Sequence, residues 1–144
     1  MTEVLNNDEK IAVVGPTTSS TSGIQQNAEA FKNRFAWSVD QMEQFAEKIK
    51  DEKIADIDCV GGVAFGTRRS VFEALKGFDK ALNCYGNEKE LQIRIRKQGF
   101  RTVWVKNSYI HHLGKMSYMH EKINIAKCQK DGDNFIVRKH GSLS

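Results

Sequence analysis

Apolar residues along this chain fall into short runs and helical stripes, separated by polar, glycine-bearing turns. Ile11-Ala12-Val13-Val14 is an unbroken apolar run that ends at Gly15-Pro16, which predicts a short buried strand running into a turn. Thr17 to Gly23 is a succession of small polar residues and predicts a loop, of the kind often turned toward a ligand. From Ser38 the period changes. Val39, Met42, Phe45 and Ile49 recur at helical spacing, and Ser38 with Gln41 makes a capping box, so a helix is predicted. Ile57 to Phe65 predicts a strand with an unusual centre, Gly61-Gly62. Paired glycines weaken a strand unless another backbone or a ligand must come close. A short helix follows, with Ser70 and Glu73 as its capping box, Val71, Phe72 and Leu75 inward, and Gly77 as its stop.

The clearest amphipathic helix begins at Asn87, a good N-cap, with Glu90 at the reciprocal capping position, and Gly99 ends it. Leu91 and Ile95 lie one turn apart on its buried face, while Arg94, Arg96 and Lys97 place positive charge near the C-terminal end, where the dipole favours it. Arg101 to Lys106 sets Val103 and Val105 against Thr102 and Trp104, a strand, and one more extended piece leads to His111-His112. A final helix is predicted from Ser117, with Met119, Ile123 and Ala126 on one face. This order of strands and helices is that of an α/β domain, without internal repeats.

Composition narrows the class. A chain of 144 residues with 40% hydrophobic and 28% charged residues is expected to be one soluble globular domain. No apolar run approaches the roughly 20 residues that span a bilayer, and the N-terminus lacks the basic start and apolar stretch of a signal peptide. A cytoplasmic location is therefore expected. Cys59, Cys84 and Cys128 include no Cys-x-x-Cys pair, which argues against a disulfide framework and a zinc knuckle. The net charge of +4 suits an anionic substrate, a membrane surface or an ordinary solvated exterior. Without a helix-turn-helix signature, an aromatic stacking pattern or a dense Lys/Arg stripe, no nucleic-acid partner is expected.

Six segments, in order, resemble the family-2 glycosyltransferases of GT-A type. Val14-Gly15-Pro16-Thr17 followed by Ser22-Gly23-Ile24-Gln25 resembles the family's "VGP…SG.Q" strand and loop. Val60-Gly61-Gly62 through Arg68-Arg69-Ser70-Val71-Phe72 resembles its glycine-pair strand and the helix after it, and Gly77-Phe78-Asp79 its "GGFDE" turn. Gly86-Asn87-Glu88-Lys89-Glu90-Leu91 with Arg94 resembles "GEDxDLxxR", the start of the catalytic helix; Gly99-Phe100-Arg101 resembles the "AGYR" that closes it. His111-His112-Leu113-Gly114 with Ser117 resembles "HHxG…S/T". The match runs from about residue 10 to residue 120. It implies an α/β fold, a partial GT-A mixed sheet flanked by helices with the donor-binding N-terminal half absent. Residues 1–9 are expected to be disordered and residues 121–144 to form a C-terminal helical tail. The activity implied is transfer of a hexose from a nucleotide-sugar to a saccharide or cell-surface polymer, with inversion. The competing reading is a non-catalytic carbohydrate- or protein-binding module derived from such an enzyme.

Inverting transfer needs a base for the acceptor hydroxyl and positive charge for the departing diphosphate. The resemblance places the base on Glu88 and the acceptor site on Asn87, Glu90, Gly61 and Gly62. The family's Glu-Asp is Asn87-Glu88 here, so the base is one methylene longer. The plainer reading makes Asn87 and Glu90 a capping box and Glu88 a first-turn acid. Glu90 and Arg94 are spaced for an ion pair. His111, His112 and Lys115 are the implied metal or diphosphate ligands, although adjacent strand residues point to opposite faces, so at most one histidine faces the site. Arg68 and Arg69 read as surface charge, and Trp104 as packing. Asp8, in Leu5-Asn6-Asn7-Asp8, is a weak metal candidate or part of a disordered terminus. A divalent metal, Mn²⁺ or Mg²⁺, is expected for a complete enzyme. A half-domain leaves sheet surface open, which predicts a homodimer. A peripheral place at the inner face of the membrane is compatible with the cytoplasmic location. By itself such a half is expected to bind donor poorly and to turn it over little.

Overall fold

The computed structural model describes residues 1–82, 85–114 and 124–141. Its centre is a pair of parallel strands, β1 (Ile11–Thr18) and β4 (Arg101–Ile110), held side by side. Two short strands attach antiparallel at the flanks, β2 (Ala55–Asp56) to β4 and β3 (Gly66–Thr67) to β1, giving a mixed sheet of order β2-β4-β1-β3. Around it lie α1 (Thr2–Asn7), α2 (Ala28–Lys32), α3 (Val39–Lys48), α4 (Arg69–Ala74), α5 (Asn87–Lys97) and α6 (Ile125–His140). The fold is thus mixed α/β, a four-stranded mixed sheet flanked by helices.

All eight residues of β1 are buried, which is why its apolar start does not alternate with polar residues: a parallel strand covered on both faces has no solvent side. On one face Ala12 and Val13 pack with Val60, Val71, Leu91 and Ile95, drawing α4 and α5 onto the sheet. On the other, Ile11, Val14, Val103 and Val105 are covered by Val4 and Leu5 of α1. A third cluster joins Ala30, Phe45 and Ile49 to Trp37 and to Tyr109 near the end of β4.

Several expected elements differ for identifiable reasons. The strand begun at Ile11 continues through Gly15-Pro16 to Thr18; Pro16 sits where the β1–β4 register shifts, one of the few places a sheet accepts a residue without an N–H. Residues 1–9, expected to be disordered, contain α1. Arg68 and Arg101 tie this segment down: Arg68 donates to the carbonyls of Leu5, Asp8 and Ile11, and Arg101 pairs with the Asp8 carboxylate. Arg68 is therefore a structural clasp rather than solvated charge, whereas Arg69 is exposed and pairs with Glu73. That pairing replaces the expected Ser70–Glu73 box, and α4 has no side-chain cap. Asn87 is the first helical residue of α5, its N-cap being Gly86 at φ +94°. Of the expected inward residues of α3, Phe45 and Ile49 are buried but Val39 is exposed. Helix α6 opens on Asn124, whose side chain accepts from the Lys127 amide; Ser117, Met119 and Ile123 lie outside the described residues, and Ala126 is exposed.

Residues 57–65 are expected to be a strand, but beyond Ile57, whose amide donates to the Thr102 carbonyl of β4 at 3.0 Å, they have no neighbouring strand among the described residues. Side chains supply the missing partners. The Gln92 amide of α5 accepts from Val60 N at 2.8 Å and donates to Val60 O at 2.9 Å, as an adjacent strand would. Gln92 and Val60 are both fully buried, so neither backbone group has water as an alternative. Gln92→Leu, close in size but without the amide, should lower the unfolding free energy by about 2–4 kcal/mol, measured by urea denaturation. An effect within about 0.5 kcal/mol would show that these backbone groups find other partners.

Candidate active site

Because β1 and β4 are parallel they finish on the same side, with Thr18 opposite Ile110. Ligands of open α/β sheets gather at the carboxyl ends of the strands. The loops that follow both strands meet there. Ser19 Oγ donates to the His112 carbonyl at 3.0 Å and accepts from the His112 amide at 2.7 Å. His112 Nδ1 lies 2.7 Å from the Ser20 carbonyl, so this nitrogen carries the hydrogen and donates. Its Nε2 has no hydrogen-bond partner among the described residues. A Cβ on Gly114 would stand 2.6 Å from Ser20 Oγ.

Gln25 links this loop to the glycine pair. It is buried, its Nε2 donates to the Pro16 carbonyl at 2.8 Å, and its Oε1 accepts from Gly61 N at 2.6 Å. The close approaches anticipated at Gly61-Gly62 are made by side chains. A Cβ on Gly61 would collide with Thr21 Oγ1, and one on Gly62 would collide with the Glu88 carboxylate. Gly62 therefore opens the space that Glu88 occupies. Glu88 stands in the first turn of α5, where the helix dipole favours negative charge. Burial, and after it the charge of Glu88, pushes the nearby Cys59 thiol up to about 11. Asn87 Oδ1 is buried with no hydrogen-bond partner among the described residues. A continuous line of neighbours thus runs from His112 through Ser20, Thr21 and Gly61-Gly62 to Glu88.

Glu90 stands apart from that line. Its side chain is 0% exposed and its oxygens are taken from two directions. Arg94 Nε lies 2.9 Å from both oxygens, while Lys139 Nζ at 2.7 Å and His140 Nε2 at 3.0 Å reach Oε1 from α6. Arg94 also donates to the carbonyls of Leu75 and Gly77, each at 2.7 Å, and Lys139 to Asp79 at 2.6 Å. The expected Glu90–Arg94 pair forms, but it is the centre of a closed ionic cluster. Glu90 is not a reciprocal cap and has no face open to an acceptor. Burial alone would push its carboxyl up; hydrogen bonds from Arg94, Lys139 and His140 outweigh it and hold the group below its ordinary 4.5.

The two adjacent histidines are turned to different surroundings. Tyr109 OH donates to His111 Nδ1 at 2.7 Å and His111 Nε2 donates to the Arg34 carbonyl at 2.8 Å, beside the Trp37 ring. With both nitrogens engaged, His111 is a packing residue. Asp8 is spent on Arg101, at 2.7 Å, and on the Lys10 amide, at 2.9 Å, and so anchors the turn before β1. Lys115 lies outside the described residues. Among the described residues no group of three or more His, Cys, Asp or Glu side chains is placed to hold a metal. Gln25, Gln92, Lys139 and His140 are the organising residues that sequence patterns did not assign a role. A recess of about 490 Å³ lined by Asp56, Asp58, Arg96 and Arg101, among others, lies where β4 begins, at the opposite end of the sheet from these loops. Its arginines are already paired with aspartates.

No protein-family model, characterised protein or solved structure matches the chain. No helix among the described residues is long and apolar enough to cross a membrane.

A carboxylate held below its ordinary value contributes stability that is complete above that value and lost as the pH falls through and beneath it. Glu90, with Asp79 shifted the same way by the Lys139 hydrogen bond, should thus make the thermal midpoint fall on acidification from about pH 6 to about pH 3. Glu90→Gln should cost about 3 kcal/mol at neutral pH and flatten that acid limb, as followed by circular dichroism melts. An unchanged acid limb in Glu90→Gln would count against this account.

Proposed function

We propose that the chain is the acceptor-side portion of a GT-A-type glycosyltransferase, transferring a hexose from a nucleotide-sugar with inversion, with Glu88 as the general base. The observation that carries the reading is a convergence. Four segments far apart in sequence, residues 19–26, Gly61-Gly62, the first turn of α5 and residues 111–114, meet beyond the carboxyl ends of two parallel strands. They fall within four of the six segments that carry the resemblance to family-2 enzymes.

In this reading the acceptor hydroxyl lies above Gly62, within reach of the Glu88 carboxylate. Glu88 removes the hydroxyl proton as the oxygen bonds to the anomeric carbon, and the bond from that carbon to the diphosphate breaks on the far side. Gly62 matters because a side chain there would displace the base. Asn87 and Gly61 border the same space. Glu90 acts at one remove, through the cluster it anchors. In this reading His112, whose Nε2 has no hydrogen-bond partner among the described residues, meets the departing diphosphate, and Lys115 is a further candidate. The described residues do not by themselves assemble a divalent-metal site, so no step here is assigned to Mn²⁺ or Mg²⁺.

Ile24, Phe35 and Val39 are large apolar side chains left exposed near the strand-end loops, which supports association into a homodimer. A single monomeric species in light scattering at working concentration would rule that out.

Calorimetric titration with UDP and UDP-hexoses in the presence of Mn²⁺ is the first test. Weak binding at most, with slow sugar transfer that Glu88→Gln reduces by about 100-fold without changing nucleotide affinity, is the expected result. Gly62→Ala should lower turnover as well, with a stability change under about 1 kcal/mol, since only the flexible end of Glu88 must move. Absence of nucleotide binding combined with saccharide binding would replace this reading with that of a non-catalytic carbohydrate-binding module.

A further inference from the structure

We infer that the C-terminal helix α6 is a positioning element for Glu88, holding the backbone on both sides of it. Gly132 lies buried in the middle of α6, and a Cβ there would collide with the carbonyl oxygen of Tyr85. Glycine weakens a helix interior, and here its lack of a side chain lets the α6 backbone rest directly on the Tyr85–Gly86 turn. One turn further along, the fully buried Ile136 packs on the same place; a Cβ on Gly86 would stand 3.2 Å from its Cδ1.

Charge then fixes the other side. Asp133 pairs with Lys89 at 3.1 Å, and Lys139 and His140 reach Glu90 at 2.7 and 3.0 Å. Residues 85 and 86 before Glu88, and 89 and 90 after it, are thus all held by one helix. The carboxylate of Glu88 itself lies against Gly62. Within the cluster the His140 ring has a defined tautomer. Its Nδ1 accepts from Lys97 Nζ at 3.2 Å, so Nε2 carries the hydrogen given to Glu90. The Lys97 contact and the Glu90 contact together orient the last turn of α6 against the length of α5.

Glu88 has a proton to take only on the glycosyl-transfer reading, on which the word positioning rests; the clamp itself can be measured without it. Cys59 serves as the reporter, because the charge of Glu88 helps suppress its ionisation. In the full chain at fixed pH near 8.5, Glu88→Gln should speed alkylation of Cys59, resolved by peptide mass spectrometry, by about threefold. Gly132→Ala should produce a comparable increase together with faster amide exchange over residues 85–90. The pair Lys139→Met and His140→Ala leaves the glycine contact in place and should do the same to a smaller degree, which keeps the test open if Gly132→Ala does not fold. The role of α6 is overturned if either variant loosens residues 125–140 while exchange over 85–90 and Cys59 alkylation stay at wild-type rates. Should Glu88→Gln leave Cys59 unaltered, exchange over 85–90 alone decides. Sugar transfer that Glu88→Gln leaves unchanged would sink the glycosyl-transfer reading, whereas the clamp stands or falls on the exchange rates.

Discussion

A buried backbone group must find a hydrogen-bond partner, and the stretch around Val60 has to find two without a strand beside it. Gln92 answers for Val60 and Gln25 for Gly61. These two side-chain amides decide where the glycine pair lies, one from the helix that carries Glu88 and the other from the loop that follows β1. A strand in their place would have hydrogen-bonded the same groups but would have filled the space over Gly62 that the Glu88 carboxylate now takes. Satisfaction of the backbone by side chains rather than by a ladder is what leaves room for chemistry at this edge of the sheet.

The ionic cluster at Glu90 complements the amide network. A carboxylate with no exposed surface is tolerated only with charged partners and full hydrogen bonding. Glu90 has both, from Arg94 on its own helix and from Lys139 and His140 on α6. Arg94 carries the connection onward to the carbonyls of Leu75 and Gly77. One buried charge therefore joins the turn after α4, the start of α5 and the end of α6. Nearby positions in a helical first turn have taken opposite assignments: Glu88 faces the strand-end loops, and Glu90 faces inward and is closed off.

Much of the architecture was legible from residue spacing. The apolar stripe of α5, the Ser38 capping box and the paired valines of β4 all mark real elements, because burial on a known face and a local cap are decided within a few residues. What escaped was long-range. Nothing near Asp8 signals that Arg68 and Arg101 will gather it in, so a terminus that reads as disordered folds as a helix. Nothing near Ser70 and Glu73 signals that Arg69 will take the glutamate. The candidate site was legible in outline, since its glycines and Glu88 could be singled out from local pattern and resemblance. The split between His111 and His112, and the enclosure of Glu90, depend on groups as distant as the Arg34 carbonyl and the His140 ring.

The parallel pairing of β1 with β4 has a consequence for how the chain comes to be folded. Asp8 and Arg101 are 93 residues apart, and β1 cannot gain its central neighbour until β4 has been synthesised. Contacts of such sequence separation are slow to form, because a long loop must be closed before any of them is rewarded. During translation the Ile11–Val14 run therefore emerges long before β4, the central strand that pairs with it. An unpaired Ile-Ala-Val-Val segment is a surface to which holding chaperones bind and at which nascent chains aggregate. Yield in the cell should accordingly be governed by the interval between these two strands as much as by the stability of the finished fold.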